Sequence, residues 1–217
     1  MHRHMMALIL MVSAGVCAAQ TSRPARRTLR GASVACPPSG KVTDELDLAS
    51  APGTLDSLIL GSNLIVEGTI AKVLPAFNRD PNISSAIETD SLISVSQTLL
   101  GTLPGTTDIT LAQIGGKTDA CEEIVPEDPP VKAGEQYILF LTKDDRTSVP
   151  NPSGFQRYFA LGLWNGRAKM ESGKIQFLPA AEKGLHKLDN TSATDLVSSI
   201  QQRIPLLGLT VSGKPKR

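Results

Sequence analysis

The sequence predicts an all-β fold: an antiparallel barrel or sandwich, with a short helix at its N-terminal side and a second helix at its C-terminal side. Residues 137–141 (YILFL) are apolar without a break and are followed by Thr142-Lys143-Asp144-Asp145. A run that short cannot be a helix burying a whole face, and it fits a central strand covered on both sides. The other apolar segments alternate with period two, as half-buried strands do. Strands outnumber helices, connections are short, and no regular strand–helix alternation exists, which disfavours a doubly wound parallel sheet.

The elements follow in order. Residues 20–38 are rich in Ser, Arg, Pro and Gly and show no periodicity, which reads as a flexible leader. Residues 42–52 are polar and ambiguous. Thr54 is placed to cap a short helix, with Asp56 in the first turn and Leu55, Leu58 and Ile59 along one face. Residues 64–74 are the first strand. Leu64, Val66, Gly68, Ile70 and Lys72 share one side, and Gly68 predicts a bulge or bend. A long loop over 77–89 leads to a second strand over 89–99 and, past Gly101 and Pro104-Gly105, to a third over 108–114.

Residues 115–134 read as a loop that carries Glu122, Glu123, Glu127 and Asp128 with three prolines, and 144–153 as another loop. A fifth strand spans 155–163. A hairpin pairs 167–170 with 174–178 around Glu171-Ser172-Gly173. Thr191 or Ser192 caps the last helix, with Asp195 in its first turn. Leu196, Val197, Ile200 and Ile204 share a face, Pro205 stops the helix, and a basic tail follows.

The N-terminus carries an address. His2, Arg3 and His4 precede an apolar stretch over 5–16, and Cys17-Ala18-Ala19 supplies small residues for cleavage after Ala19. A membrane span would need ~20 apolar residues. The reading is a cleaved signal and a secreted or periplasmic protein, with a lipoprotein anchored at Cys17 as the alternative. The organisation is therefore signal 1–19, leader 20–38, β-barrel domain 39–180, and C-terminal helix with basic tail 181–217. Only Cys36 and Cys121 remain in the mature chain. An oxidising compartment predicts that they form one disulfide, for which chain entropy gives at most ~4.5 kcal/mol.

Several stretches together carry a resemblance: residues 36–38 (CPP), 58–73 (LILGSNLIVEGTIAKV), 91–101 (SLISVSQTLLG), 134–141 (GEQYILFL) and 166–175 (GRAKMESGKI). The chain resembles secreted bacterial proteins built on the fold of the tissue inhibitors of metalloproteinases, the netrin-like variety of OB-fold. The resemblance implies a closed five-stranded antiparallel OB-like barrel flanked by helices, and it implies no particular activity. In the metalloproteinase inhibitors the matching cysteine is the mature N-terminus, and its free amine and carbonyl chelate the enzyme's zinc. Cys36 would do this only after cleavage behind Ser33-Val34-Ala35. Arg23, Arg26, Arg27 and Arg30 separate that site from the apolar run, so cleavage is expected earlier.

The expected function is a secreted, non-catalytic binding module for a protein or cell-envelope ligand. Its candidate residues lie on the loops: Asn78, Asp80 and Asn82; Glu122, Glu123, Glu127 and Asp128; Asp144, Asp145 and Arg146. One alternative is a protease inhibitor acting through a rim loop or Cys36. A less favoured one is a hydrolase using carboxylates such as Glu67, Glu88 or Asp90, among which spacing singles out no pair. From Cys36 onward 17 basic residues face 21 acidic ones, a poor balance for binding nucleic acid.

No cofactor is expected. Gly116-Lys117-Thr118 has Leu111 where a phosphate-cradling loop needs glycine. The mature chain has one histidine, His186, in a polar stretch, and too few soft ligands for zinc. Asp119 and the four loop acids match no EF-hand spacing, and Pro126, Pro129 and Pro130 suggest a solvated, stiffened loop. Asn82-Ile83-Ser84 and Asn190-Thr191-Ser192 match glycosylation sequons. Tyr158 and Trp164 are expected in the core.

Overall fold

The computed structural model describes residues 35–46, 48 and 51–210. The signal segment, most of the leader and the basic tail lie outside the described residues. The strands are β1 (Lys41–Thr43), β2 (Leu64–Val73), β3 (Phe77–Asn78), β4 (Ile87–Leu100), β5 (Asp108–Ile114), β6 (Gly116–Lys117), β7 (Glu122–Ile124), β8 (Gln136–Lys143), β9 (Arg157–Ala160), β10 (Arg167–Glu171) and β11 (Lys174–Phe177). The helices are α1 (Leu55–Gly61) and α2 (Ala193–Leu206).

Five strands close a barrel in the order β8-β2-β4-β5-β9, with β9 returning to β8. Four of these joints are antiparallel and the β5–β9 joint is parallel. The exception follows from parity, since a ring with an odd number of strands cannot alternate direction all the way round. The β10–β11 hairpin extends the sheet from β8. Its turn uses Ser172 at φ 52° and Gly173 at φ 76°, the left-handed pair that a two-residue hairpin loop requires.

Strand β8 is central, bonded to β2, β9 and β10. Its alternate residues enter two different cores. Tyr137, Leu139 and Leu141 pack inside the barrel with Leu64, Val66, Ile93, Ile109 and Tyr158. Ile138 and Phe140 join Ile65, Leu99 and Trp164 in an outer core, to which α1 contributes Leu58 and Ile59, and α2 contributes Leu196, Ile200 and Ile204. Gly68 sits at a register shift, where a Cβ would lie 2.7 Å from Ile93 Cγ2 and 2.9 Å from the Ser94 carbonyl. Only glycine lets β2 and β4 approach so closely there.

A capping box opens α1: the Thr54 hydroxyl accepts from the Ser57 N–H at 3.2 Å, and Ser57 Oγ accepts from the Thr54 N–H at 3.0 Å. Ser192 caps α2 through the Asp195 N–H at 3.0 Å. Pro205 does not stop α2, which runs one residue past it. The left-handed Gly208, at φ 74°, ends the helix, and the Leu207 N–H satisfies the Arg203 carbonyl at 2.9 Å.

Two segments expected to be loops contain strands. Within 77–89, β3 pairs with β4. Within 115–134, β6 and β7 pair with each other, and β7 also takes β1 in parallel, making a small separate sheet in the order β1-β7-β6. Strands of two or three residues are too short to show alternation in sequence.

Candidate binding surface

Three loop segments expected to carry ligands are tied to one another and to the strands of the sheet by buried ion pairs. The tie begins with Glu88 and Asp90. Two apart on β4, they point the same way and lie opposite Ile114 and Ala112 of β5. Both are fully buried. Arg157, opposite Thr110 at the start of β9, reaches them: Nη2 donates to Glu88 Oε2 at 2.7 Å and to Asp90 Oδ1 at 2.8 Å. Its Nη1 lies 3.1 Å from Asp144 Oδ2.

Arg146 completes the cluster. It donates to both oxygens of Glu88, at 2.9 and 3.1 Å, and to both oxygens of Asp144, at 2.8 Å each. Its guanidinium stacks 4.5 Å from the Phe159 ring centroid, and that of Arg157 lies 5.6 Å from Phe77.

Three carboxylates thus share two guanidiniums. Burial pushes the Asp90 carboxyl above its ordinary range, and Arg157 offsets this only in part. Asp90 Oδ2 has no hydrogen-bond donor. Burial also opposes ionisation of Asp144, but the hydrogen bonds from Arg146 outweigh it and hold that group below the usual range.

A second tie joins the acidic segment to the first loop. Arg79 makes a bidentate pair with Glu123, 3.1 Å at each oxygen, and also donates to the Ile87 carbonyl at 2.6 Å. The Ile87 N–H donates to Glu123 Oε2 at 2.5 Å. Burial still raises the Glu123 carboxyl above its ordinary range, against the pull of Arg79.

A third tie seats the end of the acidic segment on the barrel. Arg167, fully buried, pairs with Asp128 and donates to the Pro129 carbonyl at 3.0 Å. Gln113 receives the Val131 N–H at 3.1 Å and donates to the same Pro129 carbonyl at 3.3 Å. Burial raises the Asp128 carboxyl above its ordinary range. Finally, the Cys36–Cys121 disulfide joins the start of the described chain to the edge of β7, and the Cys36 N–H donates to Ser84 Oγ at 2.9 Å.

Not all the candidate residues serve a surface. Glu123 and Asp128, expected in a solvated loop, are buried because each has a guanidinium partner that its own loop does not contain. Asp144 is consumed by Arg146 and Arg157. Asp80 shapes its own turn by accepting from the Asn82 N–H at 2.9 Å. Glu122 pairs with Lys41 at 3.2 Å, and exposed Asp145 pairs with Lys143 at 2.8 Å. Asn78 and Glu127 are half-buried. Gly116 and Lys117 form β6, and Thr118 bonds across a turn to Cys121. His186 is a partly exposed partner of Asp189. Among the described residues no group of three metal-ligating side chains occurs. Tyr158 and Trp164 are buried.

Arg79, Arg157 and Arg167 do not stand out in the sequence. The one available signal was Glu88 and Asp90, two acids at i, i+2 that a strand places on one side; where that side is buried they demand a cationic partner elsewhere in the chain. Three openings lie among these loops. A polar cleft of about 350 Å³ lies beside Arg146 and Arg157, and one of about 280 Å³ between residues 79–86 and 148–149. A largely apolar groove of about 430 Å³ runs under residues 122–130. No protein-family model matches this chain, and no curated protein matches it.

Proposed function

We propose that the protein is a secreted, non-catalytic binding module that presents its loop surface to a protein or cell-envelope ligand. The observation that carries this reading is the locking of three loop segments to one another and to the barrel by buried ion pairs and a disulfide. Such locking fixes a recognition surface in advance, so that binding does not have to order it. The chemistry of the carboxylates supports the same reading. A general acid or base must come within hydrogen-bond reach of a substrate. Both Glu88 oxygens are held by arginines, and Asp90 and Glu88 are shut off from solvent. The disulfide suits an oxidising compartment, and among the described residues no helix is long and apolar enough to cross a membrane.

Inhibition of a metalloprotease through Cys36 is a second reading, because Cys36 is only partly buried where it bonds to Ser84 beside the loop cluster. With Ala35 attached, that nitrogen is an amide that donates to Ser84 and has no lone pair for a metal.

The test uses the protein as secreted. Sedimentation with purified cell-envelope material should show saturable binding. Charge reversal at exposed Asp145 together with Arg146→Ala should weaken it while a cooperative melt persists. Turnover of any envelope polymer that disappears in Glu88→Gln would overturn the non-catalytic reading. An N-terminus at Cys36 with stoichiometric protease inhibition would replace it with the second one.

A further inference from the structure

We propose that the apolar groove under residues 122–130 binds the hydrocarbon chain of a free, unbranched fatty acid, with Lys117 receiving its carboxylate. This site is additional to the loop surface of the proposed binding role, and the protein would keep that role with the groove empty.

The groove, about 430 Å³, is lined both by the barrel strands β4 and β5 and by the small-sheet strands β6 and β7. Its apolar walls come from Ile114 on β5, Ile124 at the end of β7, and Val125, Pro126, Pro129 and Pro130. Ile124 is 36% exposed, one of three large apolar side chains left open among the described residues. An apolar side chain open to water beside a concave apolar surface gains from hydrocarbon laid against it.

The walls offer little to a ligand with polar groups along its length. Proline has no N–H. The Thr89 hydroxyl donates to the Gly115 carbonyl at 2.7 Å, and the Gln113 amide is spent on Pro129 and Val131. The Gly115, Glu122 and Asp128 N–H groups donate to the Ile87, Gly40 and Val125 carbonyls at 2.9, 2.9 and 3.1 Å. A peptide strand in the groove would bury N–H and C=O groups without partners, a cost that an alkyl chain does not carry.

Charge places the head group. Four charged side chains line the groove: Lys117, Glu122, Glu123 and Asp128. Glu122 pairs with Lys41, Glu123 with Arg79 and Asp128 with Arg167. Exposed Lys117 has no ion-pair partner among the described residues, and Asp119, the acid nearest to it in sequence, does not line the groove. The lining with its partners therefore carries one positive charge in excess. That is complementary to a chain ending in a single carboxylate and opposes one ending in an ammonium.

Calorimetric titration of the secreted chain with sodium dodecanoate, kept below its micelle concentration, should show saturable one-to-one binding. From octanoate to dodecanoate, each added methylene that enters the groove should tighten binding about fourfold. Dodecyltrimethylammonium should bind on the order of tenfold more weakly than dodecanoate. Lys117→Ala should weaken dodecanoate about threefold and leave dodecanol within about twofold. Ile124→Thr should weaken both about fivefold. Both substitutions fall at exposed positions, so a cooperative melt should persist. Methyl NMR of the unmodified chain locates the site without any substitution. Dodecanoate should shift Ile114, Ile124 and Val125 and leave unmoved Ile204, which lines a separate apolar groove at the end of α2.

Affinity that ignores chain length, methyl shifts confined to Ile204, or no saturation by about 1 mM dodecanoate would overturn the proposal. Binding to phosphatidylglycerol vesicles but not to dissolved dodecanoate would assign the groove to a membrane acyl chain. Tighter binding of an acetylated valine-rich peptide would assign it to a peptide, and a dimer that Ile124→Thr dissociates would assign it to a second copy. Each of these outcomes overturns the fatty-acid site.

Discussion

The two sides of the barrel are held by different physics. On one side, α1, α2 and the β10–β11 hairpin cover β8 and β2 with Leu, Ile, Phe and Trp side chains. On the other, the loops over β4, β5 and β9 are held by carboxylates and guanidiniums that are almost as deeply buried. Apolar burial is non-directional, so the first side is stable in proportion to the area it hides. Buried ion pairs carry a desolvation cost of several kcal/mol per ion and recover it only with good geometry. The second side gains less stability from its contacts and more definition of shape. That division is compatible with the proposed binding role, in which one face anchors the fold while the other holds a fixed shape.

The sharpest way to break the apolar side is Leu139→Asp. Leu139 is fully buried in the barrel, and an unpaired carboxylate there costs more than the marginal stability of a domain of this size. No cooperative melt should be recoverable from the soluble fraction. On the polar side, Arg157→Met removes the cation shared by Glu88, Asp90 and Asp144. It should cost about 3–5 kcal/mol in a denaturant titration, because buried charge is left uncompensated.

Cutting the disulfide by Cys36→Ser with Cys121→Ser should cost about 2–4 kcal/mol, given that the bridge closes a separation of 85 residues. It should expose β1 and β7 to hydrogen exchange before the barrel strands.

Asp90→Asn sharpens the comparison through pH. Its folded-state pKa is raised above the unfolded 3.8, so the folded state binds that proton more tightly. The stabilisation this brings is complete below 3.8 and is lost as pH rises through the raised folded value. The melting temperature of the wild type, relative to Asp90→Asn, should therefore fall as pH rises above 3.8 and then level off. A relative rise would mean that Asp90 is held ionised. The smallest effect is expected at the exposed Asp56–Arg203 pair, each side chain 45% exposed. Asp56→Asn should change stability by less than about 1 kcal/mol.

Legibility in the sequence follows the same division. The apolar side was readable because its information is local. The unbroken run in β8, the alternation in β2 and the i, i+3, i+4 pattern of α1 and α2 each fix an element within a dozen residues. Thr54 announced the first cap and Thr191 or Ser192 the second, which the structure gives to Ser192, and the disulfide followed from two cysteines and the oxidising compartment that the N-terminal segment predicts. The polar side was not readable, because its partners are far apart in the chain. Arg157 lies 67 and 69 residues from Asp90 and Glu88, and Arg79 lies 44 from Glu123. Nothing local marks an arginine as buried. For the same reason Glu123 and Asp128 read as solvated acids among prolines, and β1, β3, β6 and β7 escaped notice.

The loop surface is held to the barrel through Asp144 and Arg146, which grip Arg157 at the start of β9 and Glu88 at the start of β4. Native-state hydrogen exchange on Arg157→Met tests this most directly. Amide protection should collapse across residues 79–86 and 144–156. In β8 and α2, protection should fall only as far as the measured loss of global stability requires. Equal loss of protection in both halves, or none in either, would contradict it.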